Sequence, residues 1–123
     1  MYLNQILKST GKKYSKIEFK GICFDTRKIK KNDIFFAING NKTSGKKYIK
    51  KAIIKGAAAI ITDEKINKFD LKVPLIYVKN SRLCLSEACS NFYKKKPKNI
   101  IAVTGTNGKT SVASFFNQIL NLN

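Results

Sequence analysis

The sequence has no histidine and no tryptophan, only two prolines, and seven acidic residues against 25 basic ones. The missing histidine excludes histidine general bases, Ser–His and Cys–His nucleophile pairs, and histidine metal centres. A metal held by this segment must rest on oxygen ligands, the chemistry of Mg²⁺ beside phosphates. No apolar run approaches the roughly 18–20 residues of a membrane-crossing helix. Met1-Tyr2-Leu3-Asn4-Gln5 lacks a basic segment followed by a long apolar one, so it does not read as a signal peptide. The expectation is a cytoplasmic, monomeric chain with no membrane partner. The cysteines are Cys23, Cys84 and Cys89, with no C-x-x-C pair. Without a secretion signal they are expected to be reduced and buried.

Arginine is also scarce. Arg27 and Arg82 are the only two, so the net charge of +18 is almost entirely lysine. Nucleic-acid readers use arginine forks and aromatic stacking platforms, whereas these lysines are scattered from Lys8 to Lys98. The charge therefore reads as a field that draws in anionic nucleotides, and no nucleic-acid partner is expected. A non-enzymatic basic module for nucleotides or nucleic acid is the rival reading. A steep salt dependence of binding to generic DNA would mark it.

What is present is the alternation of an α/β domain. Leu3, Ile6 and Leu7 give a short helix over residues 2–7. Ile22-Cys23-Phe24 reads as a strand and Ile34-Phe35-Phe36-Ala37-Ile38 as a strand buried on both faces. Tyr48, Ile49, Ala52 and Ile53 recur at helical spacing over residues 46–55, with Gly56 as the C-terminal stop. Residues 57–62 and 75–78 read as two more strands. Asn80 or Ser81 caps a helix reaching Tyr93, with Leu85, Ala88, Cys89 and Phe92 as its apolar face. This order predicts a largely parallel sheet. Lys94-Lys95-Lys96-Pro97-Lys98 marks a boundary, giving one domain over residues 1–96 and a second opening at 97–123.

The second segment carries the chemistry. Ile100-Ile101-Ala102-Val103 reads as a buried strand, Thr104-Gly105-Thr106-Asn107-Gly108-Lys109-Thr110 as a phosphate-binding loop, and residues 109–122 as the helix after it. Glycines let backbone N–H groups converge on phosphate oxygens, and the helix N-terminus adds the positive end of its dipole. A lysine then neutralises the outer phosphates, and a hydroxyl meets Mg²⁺. Gly108-Lys109-Thr110 supplies those last elements. Val103 stands where the general G-x-x-x-x-G-K-[ST] pattern has its first glycine, and Gly105 lies three residues before Gly108 instead. A phosphate loop opens a nucleotide-binding sheet, so the chain is expected to be a fragment: one small domain plus the start of a truncated P-loop ATPase domain.

Thr-Gly-Thr-Asn-Gly-Lys-Thr resembles the phosphate loop of the Mur ligases and of the related folylpolyglutamate synthases. The latter carry it near the N-terminus, whereas here an α/β domain precedes it. No G-x-G-x-x-G occurs in that domain, which sets aside the ligases that add the first two peptide residues. The late-acting Mur ligases fit better. Asp25-Thr26-Arg27, then Asn32-Asp33-Ile34-Phe35-Phe36-Ala37, Gly40, Ser44-Gly45-Lys46-Lys47-Tyr48-Ile49 and Gly56-Ala57 are similar to their motifs, in order. The similarity covers about residues 20–120. Asn32 replaces a usual turn glycine, and Ser44 a usual aspartate. Phe92-Tyr93, Pro97, Thr106 and Ser111-Val112-Ala113-Ser114-Phe115 are closer to the type adding the third peptide residue than to the D-alanyl-D-alanine-adding type, the alternative.

The resemblance implies an ATP-dependent ligase of peptidoglycan synthesis that activates a carboxylate as an acyl phosphate, which an amine then attacks. It implies that the first domain holds the UDP end of UDP-N-acetylmuramoyl-L-alanyl-D-glutamate through Phe24, Thr26, Asn41, Lys42 and Thr43. ATP would be bound by Gly105, Thr106, Asn107, Gly108, Lys109, Thr110 and Ser111, with Lys109 catalytic and Thr110 on Mg²⁺. Asp25 and Arg27 read as a fold-holding pair. The 123-residue chain alone is expected to be inactive.

Overall fold

In the computed structural model, residues 1–8, 11–40, 43–66, 71–95 and 97–121 are described. The apolar runs pair into one sheet of four strands. These are β1 (Gly21–Cys23), β2 (Asp33–Ala37), β3 (Ala59–Thr62) and β4 (Leu75–Tyr77), in the order β1-β2-β3-β4. All three pairings are parallel, with Cys23 opposite Phe35, Phe35 opposite Ile60 and Ile60 opposite Leu75. Every residue of β2 and β3 is buried, as expected of inner strands covered on both faces. The expected strand over 22–24 shifts back by one residue. Phe24 lies past the last pair and is 66% exposed.

Side chains alternate across the pleat and feed two cores. Ile34, Phe36, Ala59, Ile61 and Ile76 pack with Leu3, Ile6, Leu7, Cys84 and Ala88 on one face. Phe35, Ala37 and Ile60 pack with Ile29, Ile49 and Ala52 on the other. The first face lies under α2 (Ser81–Phe92), whose cap is Asn80, its side chain accepting from the Leu83 N–H. The second lies under α1 (Ile49–Ile54). Gly56, at φ +87, closes α1: its N–H donates to Ile53 O at 2.9 Å and that of Ala57 to Ala52 O at 3.1 Å. That pair of bonds is a Schellman closure.

Two expected helices are tighter than their spacing implied. The N-terminal one is a 3-10 turn at Leu3–Gln5, and residues 46–55 divide into a 3-10 turn (Gly45–Tyr48) followed by α1. Gly45, which opens the 3-10 turn, packs so closely on the β2 exit that a side chain there has no room. Asn32, in place of the usual glycine, has φ +68, a left-handed conformation that asparagine tolerates better than most residues.

The expected strand over residues 100–103 is not formed. Those residues carry no ladder, and Ile100 is 79% exposed. A strand needs a neighbour for its N–H and C=O groups, and none of β1–β4 lies beside it. Helix α3 (Lys109–Asn121) does form, with its side chains exposed. Residue 122, the end of the expected helix, lies outside the described residues, as does residue 123. The three thiols are free, and burial pushes Cys84 up to about 11. Among the described residues no helix is long and apolar enough to cross a membrane.

Candidate functional site

Parallel strands place their exits along one rim, where open α/β sheets bind ligands. At the β1 exit, Asp25, Thr26 and Arg27 turn the chain. Asp25 accepts from the Arg27 backbone N–H at 2.9 Å and from its guanidinium at 2.7 Å. That guanidinium holds the Asp25 carboxyl down at about 2. The Arg27 side chain is 83% exposed, so the pair fixes this turn rather than the core. Thr26 is buried, 5% exposed, and its carbonyl accepts from Lys55 Nζ at 2.8 Å. Phe24, Thr26, Arg27, Tyr48 and Lys51 line a groove of about 530 Å³.

At the β2 exit the chain folds back on itself. The Gly40 N–H donates to Thr43 O at 2.9 Å, and the Gly45 N–H to Asn39 Oδ1 at 3.0 Å. Ser44, in place of the usual aspartate, accepts from the Lys46 N–H and donates to Glu64 Oε2 at 2.7 Å. It therefore caps the following turn as an aspartate would. Arg82, from the first turn of α2, donates to the Asn39 carbonyl at 2.7 Å. Phe24, Gly40, Arg82, Ser86 and Cys89 are among the residues lining a second groove of about 580 Å³. Near β3, Asp63 Oδ2 accepts from the Ser81 N–H and hydroxyl at 2.9 and 2.8 Å. Burial opposes ionisation of Asp63, but the Ser81 bonds and the nearby Arg82 charge outweigh it and lower its pKa.

The structure thus brings Phe24 and Thr26 together on one groove and Phe24 and Gly40 on the other. Thr43 is exposed beside Gly40. Asn41 and Lys42, the other expected UDP contacts, lie outside the described residues. Sequence reasoning passed over Asn39, Lys55, Glu64 and Arg82. Only Arg82 carried a signal, as one of two arginines.

The phosphate loop is separate from both grooves. Gly105 and Gly108 have φ +149 and +73, conformations that favour glycine. α3 starts at Lys109, so the helix N-terminus opens directly onto the loop. Lys109 Nζ folds back to donate to Gly105 O and, at 3.2 Å, to Thr106 O. Thr110 and Ser111 are exposed beside it. This donor set fits a nucleotide triphosphate: backbone N–H groups, one ammonium and hydroxyls. Among the described residues, no cluster of three or more His, Cys, Asp or Glu side chains could hold a metal ion. Mg²⁺ fits here only as a companion of phosphates, through the Thr110 hydroxyl.

A profile described as "Mur ligase family, catalytic domain" matches residues 18–93. The UDP-N-acetylmuramoyl-L-alanyl-D-glutamate--2,6-diaminopimelate ligase of Rickettsia montanensis is 52% identical over 99 residues, which is 80% of this chain and 20% of that relative. The ligase of the same name from Rickettsia prowazekii is 41% identical over 120 residues, 98% of this chain and 23% of the relative. That alignment runs through the phosphate loop. Among solved structures, the MurF ligase of Thermotoga maritima in complex with ADP matches with TM-score 0.56 and 25% identity, covering 75% of this chain and 21% of that one. The chain spans about a fifth of the length of the curated relatives it matches.

Proposed function

The chain belongs to the Mur ligase family, and on that premise we propose that it is the N-terminal part of a longer ATP-dependent ligase. That ligase adds the third peptide residue, diaminopimelate, to UDP-N-acetylmuramoyl-L-alanyl-D-glutamate. The observation that carries this reading is one chain holding both a strand-exit rim and a phosphate loop, with relatives named for that reaction. The MurF likeness at 25% identity supports the shared fold and ATP use rather than D-alanyl-D-alanine addition.

In this proposal Phe24, Thr26, Asn41, Lys42 and Thr43 hold the UDP end of the substrate at the rim. Asp25 and Arg27 keep the β1 exit turn in shape. The N–H groups of residues 105–108 cradle the phosphates of ATP, Lys109 balances their charge, and Thr110, with Ser111, turns a hydroxyl toward Mg²⁺. Bound ATP supplies the phosphoryl group that activates the D-glutamate side-chain carboxylate. The remaining contacts come from the other four-fifths of a relative's length, so the 123-residue chain alone makes no amide bond.

Thr26→Val tests the rim. In a full-length ligase carrying this segment, the KM for the UDP substrate should rise about tenfold while kcat stays within about twofold. One ground-state hydrogen bond of ordinary strength is removed from both substrate and transition-state complexes. Steady-state kinetics reads the split, and an unchanged KM removes Thr26 from the site.

The proposed division into residues 1–96 and 97–123 has its own test. Hydrogen exchange of the isolated chain should show strong protection over β2 and little over residues 100–103, which have no partner strand. Equal protection of the two segments counts against the boundary.

A further inference from the structure

We propose that Arg82 is a positioning residue for the loop that follows β2, and that through this loop it sets the affinity of the rim for the UDP end of the substrate. The affinity part rests on the UDP reading above; the loop part does not.

Three observations carry it. First, Arg82 sits where its own helix does not favour it. With Asn80 as the N-cap, Arg82 is in the first turn of α2, where the helix dipole disfavours a positive charge. A residue that opposes its local environment is expected to serve a wider purpose. Second, Arg82 reaches out of its helix. Its Nη2 donates to the Asn39 carbonyl at 2.7 Å, across 43 residues of sequence. Third, Asn39 is bonded at both its carbonyl and its side chain. Its side chain accepts from the Gly45 N–H at 3.0 Å, while the Gly40 N–H donates to Thr43 O at 2.9 Å. The guanidinium thus holds Asn39, whose side chain in turn holds Gly45, and it lines the same groove as Phe24 and Gly40. Aliphatic replacement removes the clamp without removing a core side chain, because Arg82 is exposed.

A loop already held in its binding shape spares the ligand the cost of ordering it. The charged donor also makes a stronger bond than a neutral one. Losing it should weaken binding about tenfold, equivalent to 1.4 kcal/mol.

The test uses the 123-residue chain itself, with amide hydrogen exchange by NMR and UDP as the probe. In Arg82→Met, exchange of the Gly40 and Gly45 amides should quicken at least about tenfold. The Leu83 amide, capped by Asn80, and the amides of β2 and β3 should stay as in the wild type. Arg82→Lys, which keeps a charged donor, should recover part of the protection. UDP should shift amides of residues 24–26 and of Asn39, Gly40, Thr43 and Gly45 in the wild type and bind Arg82→Met about tenfold more weakly. Unchanged Gly40 and Gly45 exchange in Arg82→Met overturns the proposal, as does wild-type UDP affinity in that variant. If UDP shifts no amide in the wild type while Gly40 and Gly45 loosen in Arg82→Met, the positioning of the loop stands and the UDP reading of this rim falls.

Discussion

Lys109→Ala, in a full-length ligase carrying this segment, is expected to lower kcat by roughly 10²–10³-fold, the usual cost of removing one preorganised donor from a charged transition state. The KM for the UDP substrate should stay within about twofold, because that substrate is proposed to sit on the rim of the other domain. Lys109 Nζ, although exposed, is already drawn back over the loop by Gly105 O and Thr106 O, so its charge lies beside the cradle. Alanine is an excellent helix former, and the side chains of α3 are exposed. The substitution should therefore spare folding. Steady-state kinetics with both substrates, beside a direct titration of the UDP substrate, separates the two effects. Near-normal turnover in Lys109→Ala would remove the lysine from its proposed role, and a large loss of UDP-substrate affinity would break the proposed division of labour between the two segments.

The parts of this chain legible in its sequence are those decided by short-range pattern. The run Ile34-Phe35-Phe36 could only be an inner strand, and it lies in β2 with both faces covered. Asn80 or Ser81 signals the start of α2 and Gly56 the stop of α1; Asn80 is the cap that forms, and Gly56 closes α1. The phosphate loop was legible because glycine, lysine and threonine occur at a spacing that phosphate chemistry requires, and Gly105 and Gly108 do take positive φ. What stayed hidden depends on residues far apart in the chain. The Arg82–Asn39 and Ser44–Glu64 bonds span 43 and 20 residues, and no local pattern announces such a pairing. The apolar run at residues 100–103 misled for the opposite reason. Its pattern is that of a buried strand, but a strand exists only beside another, and here the sheet ends at β4. The spacing of apolar residues over 46–55 is helical throughout and predicts one helix. The first turn is instead a 3-10 turn that starts at Gly45, where the chain approaches the β2 exit closely.

That close approach leads to a large stability effect expected at the β2 exit. A Cβ built on Gly45 would lie 2.5 Å from the Ala37 carbonyl carbon, 2.6 Å from Ile38 N and 2.7 Å from Ile38 O. All three are backbone atoms at the end of a buried strand, so no flexible side chain can swing aside. Gly45→Ala must push the β2 exit and the start of the Gly45–Tyr48 turn apart. It should cost about 3 kcal/mol, the upper part of the range for overpacking a core, and lower Tm by more than about 10 °C. Gly40 is the internal control, in the same loop. A Cβ there meets Thr43 O at 3.5 Å and Thr43 Oγ1 at 3.6 Å, ordinary contacts, and its φ is not in the left-handed region. Gly40→Ala should leave Tm within about 3 °C, as for most surface substitutions. Thermal unfolding of the two variants, followed by far-ultraviolet circular dichroism, compares them directly. Equal melting temperatures would mean that the loop yields where the packing says it cannot. The expected separation would show that the packing of Gly45 against the β2 exit leaves no room for a single methyl group.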